Sequence, residues 1–230
     1  MPDAPIKKIS AGGVICHDDK TDLPQIRIQD AWLLRQEASN HLHELWAKDR
    51  PLTTDERMRE IVASYNTAWQ PFEHKILHGM CDILDLSFRQ NIIDVYIAPW
   101  FSAFSSPMVI GVRIEPDKFV DVLTHELLHR LLTDNTTVPY DSQLVGPWRK
   151  LFGDEHSWKT LVHIPVHAVH KAIYLDILQA PERLERDIAT SKQREAIPYI
   201  KAWEYVNSRD YKEIIEELKH MYTALGQAAA

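Results

Sequence analysis

The feature that most constrains this chain is His125-Glu126-Leu127-Leu128-His129, set inside a strongly apolar helical stretch. On a helix, residues i and i+4 lie one turn apart on the same face, so His125 and His129 direct two imidazoles at one point. That spacing suits a zinc ion, which takes imidazole nitrogens at about 2.0–2.1 Å. Glu126, beside the first histidine, faces the open coordination position. There it takes a proton from a water and hands it to a leaving group. Phe119, Val122, Leu123, Leu127, Leu128 and Leu131 supply the apolar face of a buried helix, and no Pro or Gly interrupts Lys118 to Leu132. With 12 His and 15 Glu in 230 residues, the pattern arises by chance in roughly 4% of shuffled chains, so the helical context is what lifts it above coincidence. The competing reading is two core histidines, but a buried Glu126 would then need a partner of its own.

A catalytic zinc keeps three protein ligands and one open position. The extended form HExxHxxGxxH is absent, since Leu132 and Asn135 hold the positions of its glycine and third histidine. The third ligand must therefore come from a later element. Half of the 12 histidines fall between His125 and His170. At helical spacing His156, Thr160, His163, His167, His170 and Tyr174 form one polar stripe, opposite Trp158, Val162, Val166, Val169, Ile173 and Ile177. A core helix with an imidazole-lined face is costly to build without a metal or substrate to use it.

From about Ile92 to Leu178 the chain resembles the gluzincin group of zincin metallopeptidases: a strand, an HExxH helix, a loop, then a second helix with the third ligand. In that group the third ligand is usually Glu, often followed by Ala or Gly, with a supporting residue three or four positions on. Val166-His167-Ala168-Val169-His170-Lys171 fits with His in place of Glu, so the resemblance implies His167 as the ligand, with His163 and Glu155 as competitors. Pro165 disfavours helical geometry at Ile164 and would aim His163 differently. The resemblance also implies an oxyanion donor, for which His170 and Tyr174 on the stripe and Tyr140 in the loop are the candidates. It implies that the strand within Ser106–Arg113 forms the cleft edge, where an extended substrate adds as a further strand. Replacing Glu by His leaves the metal site more positive than in the group.

The remaining elements are read from pattern. Ile9–Cys16 and Gln25–Ile28 look like a hairpin, and Asp30–Lys48 carries helical spacing. Thr53 caps a helix running to Trp69, and Phe72–Leu84 is another. Ile92–Ile97 and Met108–Ile114 read as strands, and a Pro-containing loop runs to Gly153. A helical stretch interrupted at Pro165 spans Ser157–Leu178, and Glu182–Leu225 is mostly helical. The expected fold is α+β and zincin-like, a single domain over 1–230: N-terminal hairpin and helix (1–50), catalytic core (90–180), helical C-terminal part (181–230). His74 and His78, with Lys75 where a glutamate is needed, and His41-x-His43 read as surface residues. Trp46, Trp69, Trp100 and Trp203 read as core.

Composition narrows the function. A net charge of −7 with scattered Lys and Arg argues against nucleic-acid partners. Two distant cysteines, Cys16 and Cys81, argue against a disulfide framework. No signal-peptide pattern and no membrane-length apolar run is present, so a cytoplasmic protein without a membrane partner is expected. The expectation is a zinc-dependent peptidase acting on peptides or proteins, its oligomeric state open. Its rivals are a zinc hydrolase of a non-peptide amide or ester, and a non-catalytic protein whose histidines form a structural metal site closed by a fourth ligand.

Overall fold

A computed structural model of the chain describes residues 23–41, 53–99, 101–138 and 144–229, with the side chains of 38–41 and 229 excepted. The first strand of the expected hairpin, Trp46, Trp100, Tyr140, Cys16 and the His41-x-His43 side chains lie outside the described residues. The architecture is α+β, with a small mixed sheet of four strands and a mostly helical remainder.

The elements are β1 (Gln25–Asp30), α1 (Trp32–His41), α2 (Asp55–Trp69), α3 (Glu73–Leu84), β2 (Ile92–Ala98), β3 (Phe104–Ser105) and β4 (Met108–Gly111). They continue with α4 (Pro116–Thr133), α5 (Val145–Phe152), α6 (Trp158–Ala172), a π-helical turn (Ile173–Ile177), α7 (Pro181–Gln193), α8 (Ile197–Ser208) and α9 (Tyr211–Ala229). Strand order is β1-β2-β4-β3. β1 and β2 are parallel, with Ile26 opposite Ile93 and Ile28 opposite Val95. β2 and β4 are also parallel, and β3 returns antiparallel to β4. All four residues of β4 are buried, as a strand flanked on both sides requires. The strand expected to form the free edge is therefore internal. The edge is the two-residue β3, with Phe104 half exposed.

The cap of α2 is Thr54 rather than Thr53: its hydroxyl accepts the Arg57 N–H, leaving Asp55 and Glu56 in the first turn, where the helix dipole favours acids. The loop expected to run to Gly153 contains α5, whose Trp148 and Phe152 are buried. Pro147 lies in its first turn, where a missing N–H costs nothing.

α6 does not break at Pro165. A proline inside a helix costs about 3 kcal/mol. Leu161, Ile164, Val166 and Val169 are all fully buried around it, each stabilising by about 1.5–3 kcal/mol, so burial outweighs the lost bond. His163 and His167 consequently share one continuous helix and one face.

α4, which carries the HExxH sequence, opens with Pro116 at its first position. It is fixed along its whole length. Near its start, Asp117 and Asp121 receive the guanidiniums of Arg183 and Arg186 from α7, with Arg183 at 2.6 Å from each carboxylate. In the same first turns, Phe119 stacks on Tyr65 of α2 at 4.0 Å. Past His129, Arg130 donates to the Ser105 carbonyl of β3 at 2.7 Å. At its end Tyr222 of α9 donates to the Leu132 carbonyl at 2.6 Å, and Asp134 accepts from Arg89 at 2.7 Å. Leu123, Leu127, Leu128 and Leu131 are fully buried beneath these ties.

Tyr222 tests one of them. Tyr222→Phe leaves the buried Leu132 carbonyl unsatisfied, and the expected loss is about 1–2 kcal/mol of unfolding free energy, read from urea titration. An unchanged midpoint would show that this tie contributes nothing.

Candidate metal centre

α4 and α6 pack side by side, which brings His125, His129 and His163 together. Their ligand atoms lie within 4.8 Å of one another. The Nε2 atom of His129 is 3.1 Å from that of His125 and 3.3 Å from that of His163. Two imidazoles placed tetrahedrally about one ion at 2.0–2.1 Å would show a nitrogen–nitrogen separation of about 3.3–3.4 Å, close to both His129 separations, so the group could hold a metal ion. His163 Nδ1–H donates to the Lys159 carbonyl at 2.5 Å. A carbonyl can only accept, so this bond fixes the tautomer and leaves Nε2 bare toward the cluster, the arrangement in which an outer acceptor orients a metal-binding histidine. Burial holds the rings neutral: His129 is lowered to about 3 and His163 to about 4, and His125 falls well below its ordinary range. A neutral imidazole is the form that binds metal.

The expected third ligand, His167, stands one turn further along α6 and outside this convergent group. Its ring stacks on Trp203 at 4.1 Å and is fully buried, and neither nitrogen has a hydrogen-bond partner. Its ring centroid is 5.9 Å from that of His125, but its nitrogens are not among those that converge. Glu155, the other competitor, has a side chain 74% exposed and lies beside His156. His156 packs against Tyr205.

Glu126 is 7% exposed and forms no hydrogen bond or ion pair with a described residue. Burial pushes its carboxyl up to about 7. His170 and Tyr174, the expected oxyanion donors, pack on each other at 4.1 Å and are 1% exposed. His170 Nδ1 is 3.4 Å from Asp187 Oδ2, in ion-pair range but without hydrogen-bond geometry, and the Tyr174 hydroxyl has no partner. The ring of His170 is 5.9 Å from that of His125, and His170 is not among the convergent nitrogens. His74 and His78 stack on each other away from the centre, and His78 pairs with Asp82.

Sequence reasoning missed Tyr199. It sits near the start of α8 with its ring 4.0 Å from His163, 6.0 Å from His125 and 5.9 Å from His167. It is partly exposed, and burial together with the nearby Glu126 charge raises its phenol. The pairings of α6 with α8 follow one register. Tyr199 lies on His163, Trp203 on His167, and Lys171 donates to Asn207, a separation of 36 residues. The two helices therefore run parallel, and a signal was present at helical spacing in Tyr199, Trp203 and Asn207.

The chain matches no family model, no curated protein and no solved structure. Among the described residues, no helix is long and apolar enough to cross a membrane.

The buried rings carry a pH signature. An unfolded histidine takes its proton near 6.5, whereas His129 and His170 wait until about 3 and His163 until about 4, with His125 and His167 also displaced downward. Between these limits the unfolded chain binds more protons, so stability present above about pH 6.5 is lost as pH falls. Glu126 and Asp187, both raised to about 7 by burial, act in the opposite sense but are fewer. Metal-free protein is expected to lose about 1.4 kcal/mol per pH unit for each net proton between pH 6.5 and 5, measured by urea unfolding. Constant stability across that range would contradict the burial of neutral imidazoles.

Proposed function

We propose that this chain is a zinc-dependent hydrolase that cleaves peptide bonds, its metal held by His125, His129 and His163 and its proton transfers carried by Glu126. The observation that supports the reading is the convergence of three imidazoles, with Nε2 separations of 3.1 and 3.3 Å, two of them on α4 with the buried Glu126 between them in sequence. The resemblance to zincin metallopeptidases supports the same conclusion, with the third ligand at His163.

A bound zinc ion supplies Lewis acidity toward a carbonyl oxygen and makes water acidic near neutral pH. Everything else belongs to the chain's own residues. Glu126, largely buried and next to His125, accepts a proton from the attacking water and returns it to the leaving nitrogen. Burial keeps the Tyr199 hydroxyl protonated, and its position against His163 suits it to donate to the oxygen that gains charge. Tyr199 thus takes the part expected of His170 or Tyr174. β3 supplies the sheet edge against which an extended substrate would lie, tied to α4 through Arg130 and the Ser105 carbonyl.

The rival structural-metal reading requires a fourth protein ligand. Among the described residues the convergent group stops at three, which favours a position left to water and substrate.

Glu126→Gln separates binding from catalysis. The variant is expected to retain zinc at the wild-type stoichiometry while cleavage of a synthetic peptide mixture, followed by mass spectrometry, falls by about 10²–10⁴-fold. Tyr199→Phe is expected to retain zinc and slow cleavage by about 10²-fold or more. Wild-type cleavage by Glu126→Gln would remove the carboxyl from the mechanism. A wild-type protein that binds zinc and cleaves no peptide would leave only the non-peptide or structural readings.

A further inference from the structure

α6 carries a buried proline in its interior, Pro165, midway between the histidine that joins the convergent group and the one that does not. Proline has no N–H to donate to the Leu161 carbonyl one turn back, and its ring crowds that carbonyl, so a helix is loosened or bent at such a point. Burial of Leu161, Ile164, Val166 and Val169 explains how α6 survives the proline. It does not explain why a proline stands there, because an alanine would keep those neighbours buried and regain the bond. The two halves of α6 also have separate anchors. Before Pro165, Ser157 caps the first turn, Trp158 stacks on Trp148 of α5 at 6.1 Å, and His163 lies against Tyr199 at 4.0 Å. After it, His167 stacks on Trp203 and His170 packs on Tyr174, each at 4.1 Å. The ring planes of His163 and His167 are turned 57° from each other, and the ring of His163 meets that of His129 at 4.8 Å.

We infer that Pro165 is a positioning residue for the metal centre. It uncouples the first turns of α6 from the rest, so that His163 leans toward His125 and His129 of α4 while His167 stays on Trp203. In an uninterrupted helix, residues four apart stand one above the other and lean the same way. Such a helix brings one of the two rings closer to α4 only by moving both. A loosened joint between them removes that coupling. Local backbone strain held in place by its surroundings is a common feature of functional sites, and here the surroundings are the separate anchors of the two halves. This role rests on the reading of His125, His129 and His163 as a metal centre.

Two variants of the full-length protein test it. Pro165→Ala restores the N–H, and Pro165→Val does so while keeping as many side-chain carbons in the buried site. Both are expected to leave the urea midpoint of the metal-free protein unchanged or higher. Both are expected to weaken zinc binding, titrated against a competing chelator, by about 10–100-fold. In the metal-free wild type, a nuclear Overhauser contact between the His129 and His163 rings is expected from their 4.8 Å separation, and in both variants it is expected to fade. Zinc bound by both variants as tightly as by the wild type would overturn the inference. So would an affinity that falls only together with the urea midpoint, or a ring contact that is missing from the wild type or persists in both variants. Ring contact without zinc uptake by the wild type would remove the metal centre itself, and the fate of that contact in the variants would then decide the part of Pro165 alone.

Discussion

The structure depends on one constraint: neutral imidazoles are packed where α4 meets α6, with the ring nitrogens of three of them brought together. Taking a polar group out of water without a partner costs a few kcal/mol, and this core buries His163, His167 and His170 together with Glu126, with His125 and His129 half-buried beside them. His163 is the one whose outer nitrogen is satisfied by a backbone carbonyl, and its inner nitrogen meets two others. Three of these rings lie close enough together to hold a metal ion. The rest of the fold reads as the support this cluster requires. Ion pairs to α7 and hydrogen bonds to β3 and α9 fix α4 along its length, while the rings of Tyr199 and Trp203 fix the histidine planes of α6.

Parallel packing of α6 and α8 has a further effect. Since the two helices advance together, each turn of α6 meets one turn of α8. His163 faces a partly exposed phenol, whereas His167 faces a buried indole. Two chemically identical residues on one helix face are thereby assigned different environments, one at the opening of the centre and one in its interior.

Much of this was legible in the sequence, for reasons that can be named. The HExxH pair, the α+β class and the extents of α2, α3, β2 and α4 follow from periodicity, which is a local property. The choice between His163 and His167 was not legible, because it depends on how far α6 slides along α4, and one turn decides it. Pro165 was read as a break because local geometry disfavours it; tertiary burial of its neighbours outweighed that cost. β4 was taken for the free edge because a two-residue strand such as β3 is too short to show alternation. Tyr199 was missed since the spacing of Tyr199, Trp203 and Asn207 marks a helix face but does not say that this face packs on α6, 36 residues earlier.

The central claim is that His125, His129 and His163, and not His167, hold one divalent ion. Zinc titration with a competing chelator on the wild type, His163→Ala and His167→Ala measures it directly. The account predicts one zinc per wild-type chain, affinity reduced by at least about 10²-fold in His163→Ala, and stoichiometric binding retained in His167→Ala. Loss of zinc from His167→Ala with retention in His163→Ala would contradict it.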